Sequence, residues 1–402
     1  MIRTDRFKKN ICSGLVLLLV IVMGACDDVT SEERILLQKI KEVRQEYAPD
    51  KRTSLFDVHV YSDSKKYILT GETDNAKALD ELRETLSNSS FEYTEKIKLL
   101  PAEDLEGNSQ AVINISVANL RSNPKHSAEL ATQATLGTPV KVLKKEGGWY
   151  YIQTPDKYLS WVDDGGLKLM DENTFDEWQA ADKIIFTETY GHSYSDENQD
   201  QVVSDLVAGN VLEVINETDA FFQVVYPDGR KAFVAKNVAE PFGDWIKKLD
   251  PSHENLVATS KELMGVPYLW GGTSTKGMDC SGFTKTIYFL NGMVIPRDAS
   301  QQVRTGKAVD SVQNFDDLEK GDLLFFGRKA TDSTAEKVVH VGMWIGNDEF
   351  IHASDMVRIS SMNSQAENFD EYNRNRYLRT KRILKERDPD LINLATIPLF
   401  KD

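Results

Sequence analysis

The spacing of apolar positions changes several times along this chain, and each change marks a boundary. Residues 11–25 form an apolar run containing Leu15-Val16-Leu17-Leu18-Leu19. Residues 32–47 place Ile35, Leu36, Ile40 and Val43 at helical spacing. Two strand-like stretches follow at 55–61 and 67–71, then a helical pattern over about 74–86 and a strand at 93–100. From 110 to 170, and again from 182 to 242, short alternating segments recur with turn residues about every ten positions. Beyond residue 254, helical and strand patterns mix up to 387, and 388–402 holds prolines but no periodicity.

These patterns predict a multidomain α+β protein, since 402 residues exceed what a single core organises. The expected units are a leader at 1–25, a tether and small α+β unit at 26–105, two all-β modules at 106–170 and 171–243, an α+β domain at 244–387 and a tail at 388–402. The small unit faintly resembles the envelope domain known as BON, and it carries no recognisable chemistry. In the first β module, Asn119-Leu120-Arg121, Gly148-Trp149-Tyr150-Tyr151-Ile152 and Tyr158-Leu159-Ser160-Trp161-Val162 resemble the landmarks of a bacterial SH3-like barrel. The second module keeps weaker landmarks, so the pair reads as a degenerate repeat.

The leader alters the chemical picture. Arg3, Arg6, Lys8 and Lys9 precede an apolar run too short to span a bilayer comfortably, which predicts a cleaved export signal. Met23-Gly24-Ala25-Cys26 resembles a bacterial lipobox, which makes Cys26 the expected lipidation site and places the protein in the cell envelope on a lipid anchor. The net charge of -15 argues against a nucleic-acid partner, and the apolar fraction of 41% is ordinary for a globular protein. A monomer is expected.

Of three cysteines, Cys12 leaves with the signal and Cys26 takes lipid, so Cys280 is the one free thiol and cannot form an internal disulfide. A lone thiol is more often inert than reactive, but its surroundings argue otherwise. Phe283, Ile287 and Leu290 follow Cys280 at helical spacing, Asn291-Gly292 ends the run, and Asp279 is a natural N-cap. Cys280 then sits in a first helical turn, where free N–H groups favour a thiolate and could hold an oxyanion. His340 lies on a predicted strand at 338–345, followed by the turn Gly346-Asn347-Asp348 and a returning strand that carries His352. A three-residue turn puts His352 opposite Gly342, diagonal to His340 and within reach of an imidazole hydrogen bond. His340 would serve as base and His352 as the group that orients it. A zinc site built from these three residues is the competing reading, but the 60-residue gap between 280 and 340 lacks clustered ligand spacing. No metal or cofactor is expected.

Four segments, in order, resemble the NlpC-type cell-wall cysteine peptidases of papain-like fold: Gly265–Gly272 with Pro267-Tyr268-Leu269-Trp270, Met278-Asp279-Cys280-Ser281-Gly282, Gly321-Asp322-Leu323, and the strand pair with His340 and His352. The resemblance implies a catalytic triad of Cys280, His340 and His352. Two SH3-like modules ahead of this domain resemble the γ-D-glutamyl-L-diamino acid endopeptidases, which act on murein peptides bearing a free N-terminal L-alanine. That likeness implies substrate contacts from Asp279, Ser281 and Tyr268 beside the thiol. It also implies amine recognition by Glu129 and Tyr158 of the first module, while Trp270 is structural or cleft-lining. An endopeptidase working on intact wall and a non-catalytic wall-binding lipoprotein are the alternatives.

Overall fold

A computed structural model of the chain describes residues 31–63, 66–87, 92–397 and 399. The export signal and Cys26 lie outside the described residues. In the small N-terminal unit, helix Ser31–Tyr47 buries Leu36, Ile40 and Val43, and helix Ala76–Ser87 buries Ala78, Leu79, Leu82 and Leu86. Both share a core with a three-stranded sheet of Phe56–Asp63, Lys66–Thr73 and Tyr93–Leu99. The first two strands pair as an antiparallel hairpin, whereas the third runs parallel to the second and is reached through the second helix.

Two seven-stranded antiparallel sheets follow. In the first, pairing runs from Leu167–Met170 through Gln110–Ile113, Pro139–Glu146, Trp149–Gln153, Leu159–Asp163 and Val117–Arg121 to Leu130–Thr135. The second sheet spans Lys183–Phe186 to Ala239–Pro241 in a similarly open order. The expected barrels are therefore SH3-like but do not close, because their end strands do not pair with each other. For the first sheet the cause is visible. The free edge at Leu130–Thr135 is covered by another domain, with Thr273 donating its hydroxyl to the Gln133 carbonyl at 2.9 Å.

The C-terminal domain sets helix Cys280–Leu290 against a six-stranded sheet. The order is Lys307–Asp310, Tyr377–Arg382, Leu323–Arg328, Lys337–Gly346, Glu349–Ala353 and Val357–Ser361. Phe283, Ile287 and Tyr288 of the helix pack on Leu323, Phe325, Val341, Met343 and Ile351. Each such side chain contributes about 1.5–3 kcal/mol when fully buried, so the helix start is rigidly placed on the sheet. The tail is not patternless, as Ile392–Asn393 pairs with Met293–Val294 and Leu394 is buried. A two-residue strand is too short to leave a periodic signal.

The first SH3-like unit is a docking frame for the C-terminal domain. The Gln133 amide oxygen accepts from Thr273 N–H and from the Ser274 hydroxyl, both at 3.0 Å, while its amide nitrogen donates to Asn119 at 3.0 Å. Lys285 of helix Cys280–Leu290 pairs with the buried Asp156 carboxylate at 2.6 Å. Replacing Gln133 with Ala strands a buried N–H of Thr273. Urea unfolding should then report a loss of about 1–3 kcal/mol, and a change below a few tenths would show that this contact does not hold the domains together.

Candidate active site

Asp279 has the extended backbone of an N-cap, and its side chain accepts the Gly282 N–H at 2.7 Å, which starts helix Cys280–Leu290 at the cysteine. Gly282 is required by close approach, because a Cβ there would lie 2.0 Å from the Gly272 carbonyl oxygen. The thiol is thus held where the helix start meets the 268–273 loop and strand Lys337–Gly346. The N–H groups of Val341 and Ser281 both point at the sulfur and favour its thiolate.

The histidines occupy adjacent strands. Met343 pairs with Ile351 and Trp344 with Phe350, so continuing the register sets His352 opposite Gly342, with a bulge before the turn. A Cβ on Gly342 would lie 2.7 Å from the Phe350 ring and 3.2 Å from the His352 Cβ, so glycine leaves the room the imidazoles need. His340 Nε2 lies 2.8 Å from His352 Nδ1, and His352 Nε2 lies 3.0 Å from Ser360 Oγ. If His340 Nε2–H donates to His352 Nδ1, then His352 carries its proton on Nε2 and donates to Ser360. His340 Nδ1 is left as the basic nitrogen. Asp370 Oδ2 is 3.9 Å from His352 Nε2, and its two oxygens accept from the Asn373 N–H and side-chain amide. Ser360 and Asp370 were not identified from the sequence; neither belongs to a motif that marks such a role.

Electrostatically the site resists isolated charge. Burial, followed by the negative charge of Asp279, pushes the Cys280 thiol up to about 12. Burial, then His352, holds His340 well below its usual value, and burial lowers His352 to about 4 despite Asp370. The expected helix-start thiolate is therefore outweighed in the free protein, where the thiol and both imidazoles are neutral. Moving a proton from Cys280 to His340 creates two charges that offset each other, whereas either charge alone is costly. Among the described residues, no group of three or more His, Cys, Asp or Glu side chains is arranged to hold a metal.

The residues expected to contact substrate divide into two sets. Asp279 and Ser281 are nearly inaccessible and face inward. Arg297, itself 1% exposed, grips both Asp279 oxygens at 3.1 and 2.6 Å and the Ser281 hydroxyl at 3.0 Å. Its Nε reaches Thr132 Oγ1 of the SH3-like unit at 2.8 Å, and Gly271 N–H donates to Asp279 at 2.9 Å. Both residues are thus saturated inside the protein rather than open to a substrate, because a buried carboxylate takes the nearest fixed donors. Tyr268 is half-buried close enough to Cys280 and Asp279 for their charges to reinforce the upward shift that burial gives its phenol, so it stays a hydrogen-bond donor. Glu129 is exposed and accepts from Trp270 Nε1 at 2.7 Å. Tyr158 is buried, with its hydroxyl 3.2 Å from Asp298 Oδ2.

A buried cysteine at a helix start, packed on an antiparallel sheet whose neighbouring strands carry a hydrogen-bonded histidine pair, is the arrangement of a papain-like cysteine peptidase. Residues 265–374 match the NlpC/P60 family and residues 116–168 match the bacterial SH3 domain. The chain is 34% identical to the gamma-D-glutamyl-L-lysine dipeptidyl-peptidase of Bacillus cereus (strain ATCC 10987 / NRS 248) over 233 residues, 56% of this chain and 67% of the relative. It is 28% identical to dipeptidyl-peptidase 6 of Lysinibacillus sphaericus over 270 residues, 63% of this chain and 92% of that one. The crystal structure of an NlpC/P60 family protein from Bacillus cereus ATCC 10987 superposes with a TM-score of 0.58 at 28% identity, covering 69% of this chain and all of that one. This chain belongs to the NlpC/P60 family and is a cysteine peptidase. Among the described residues, no helix is long and apolar enough to cross a membrane.

The depressed histidines have a consequence for stability. An unfolded chain takes up a proton on each near pH 6.5, whereas His352 in the fold does so only near 4. Their contribution is complete above pH 6.5 and lost as the pH falls toward 4, at up to about 1.4 kcal/mol per pH unit per histidine. His352→Asn should flatten the decline in urea-derived stability between pH 6.5 and 4.5. An unchanged slope would mean that His352 is already charged in the fold.

Proposed function

We propose that the chain hydrolyses the γ-D-glutamyl-L-diamino acid bond of murein peptides, with Cys280 as nucleophile, His340 as base and His352 as its orienting partner. The 2.8 Å His340–His352 contact carries this reading, because it pairs His340 Nε2 with a second imidazole and leaves Nδ1 available as the base, in a domain whose one free thiol among the described residues heads a helix packed on the same sheet. His340 takes the Cys280 proton as the sulfur attacks the γ-carbonyl carbon. The oxygen of the tetrahedral adduct is met by the Cys280 N–H and the Tyr268 hydroxyl. His340 then protonates the departing amine of the diamino acid, leaving L-Ala-γ-D-Glu as a thioester on Cys280. Water, deprotonated by His340, attacks the thioester, and the thiol regains its proton.

The names carried by the relatives support the substrate class. The position of the first SH3-like unit supports recognition of a free N-terminal L-alanine. Glu129 reaches the cleft loop through Trp270, and Tyr158 presents its hydroxyl beside Asp298. A carboxylate at modest dielectric is a sound partner for an ammonium. Asp279 and Ser281 serve through the Arg297 network, as positioning groups for the helix start. An exported, wall-facing location suits this activity, with lipidation at Cys26 as the anchor.

Cys280→Ala should abolish release of L-lysine from L-Ala-γ-D-Glu-L-Lys, and His340→Ala should lower kcat by roughly 10²–10⁴-fold; turnover surviving in Cys280→Ala would rule the mechanism out. N-acetylation of the peptide should raise KM. Equal turnover of both forms, or faster release from purified sacculi than from free peptide, would move the substrate to intact wall.

A further inference from the structure

Residues 50–54 of the N-terminal unit reach across the first SH3-like unit to the C-terminal domain. Leu159 N–H donates to the Arg52 carbonyl at 2.7 Å, and the Gln153 amide donates to the Thr53 carbonyl at 3.0 Å, so this backbone is pinned beside Tyr158. The half-buried Arg52 side chain then extends to the loop after Arg297. Its Nη1 donates to Asp298 Oδ2 at 2.7 Å and to Ser300 Oγ at 2.9 Å, while Nε and Nη2 bind Asp50 at 2.8 and 2.6 Å. Asp50 is fixed in turn by the Gln301 amide at 3.1 Å.

The Asp298 oxygen that takes Arg52 also accepts the Tyr158 hydroxyl. Asp298 Oδ1 lies 4.0 Å from Arg297 Nη1, and Arg297 binds the carboxylate that caps the nucleophile helix. Charges therefore alternate from Asp50 through Arg52, Asp298 and Arg297 to Asp279, and the N-terminal unit supplies the first two. A carboxylate beside a tyrosine hydroxyl suits an ammonium, yet a permanent cation already stands on it.

We propose that Arg52 is a specificity-determining residue of the cleft, an internal cation held on Asp298 with which a substrate's ammonium must compete. This rests on the reading that Tyr158 and Glu129 recognise the amine of an N-terminal L-alanine. The N-terminal unit thereby sets how strongly the peptidase prefers a free over an acylated N-terminus. An acylated peptide brings no N-terminal cation and gains nothing from a vacated Asp298, so removing Arg52 affects one substrate class only.

The test uses the purified mature chain with L-Ala-γ-D-Glu-L-Lys and its N-acetyl form. Arg52→Gln should lower KM for the free-amine peptide about three- to fivefold, as expected for displacing a partly exposed ion pair. It should leave kcat and the constants for the acetylated peptide within twofold, and so widen the preference. Arg52→Lys, which keeps a cation, should return the preference to the wild-type value. Arg52→Met keeps the apolar stem and replaces the Gln variant if thermal unfolding shows that one to be misfolded. A preference present in the wild type but unchanged or reduced without Arg52 overturns the proposal and leaves amine recognition intact. Equal turnover of both peptides by the wild type and the variants removes amine recognition itself, and this proposal with it.

Discussion

The buried Asp279–Arg297 pair is the interaction on which the rest of the site depends. A carboxylate and a guanidinium removed from water are costly singly, and here most of their other lone pairs and N–H groups also have partners. Asp279 accepts N–H groups from Gly271 and Gly282, and Arg297 donates to the Ser281 and Thr132 hydroxyls. One pair therefore caps the helix that begins at Cys280, fixes the loop that carries Tyr268 and Trp270, and ties both to the first SH3-like unit. It also sets the charge around the thiol. Asp279 opposes the thiolate and Arg297 favours it, but burial dominates both.

The histidine pair follows from the sheet. Strand register brings His352 opposite Gly342, and the missing side chain there gives the imidazoles room to meet. Ser360, on the next strand, gives the outer nitrogen of His352 a hydrogen-bond partner at 3.0 Å. Burial holds the thiol and both imidazoles neutral at rest, and a Cys280–His340 ion pair would cost less than forming either ion alone. The thiol is therefore an ordinary buried cysteine at rest, and the proposed mechanism assigns its activation to His340.

Much of this was legible from residue order. The switch from helical to alternating periodicity marked the elements, and Asp279 before an apolar helical run located the helix start. The expected three-residue turn is instead the two-residue turn Asn347-Asp348, with Gly346 paired to Glu349; a bulge between Trp344 and Gly346 supplies the extra residue that keeps both histidines on one face. Other features were not legible because they depend on tertiary partners. Arg297 lies 18 residues beyond Asp279 in the chain and acquires its role only when the segment folds back. Asp279 and Ser281 looked open to substrate because their neighbours in sequence do not include the guanidinium that claims them. Closure of the SH3-like sheets was predicted by analogy, whereas the docked Thr273–Ser274 segment covers an edge that a barrel would pair. The contact between Arg52 and Asp298 joins positions 246 residues apart, and no local pattern could announce it.

The central claim is that Cys280 forms a thioester with the γ-carbonyl of the dipeptide. The most direct measurement is intact-mass and peptide-mapping analysis after treatment with an acyloxymethyl ketone built on L-Ala-γ-D-Glu, in which the electrophilic carbonyl occupies the scissile position. One adduct on Cys280, suppressed by excess free L-Ala-γ-D-Glu, is the predicted result. Labelling of another residue, or no labelling while the peptide is still being cleaved, would contradict it.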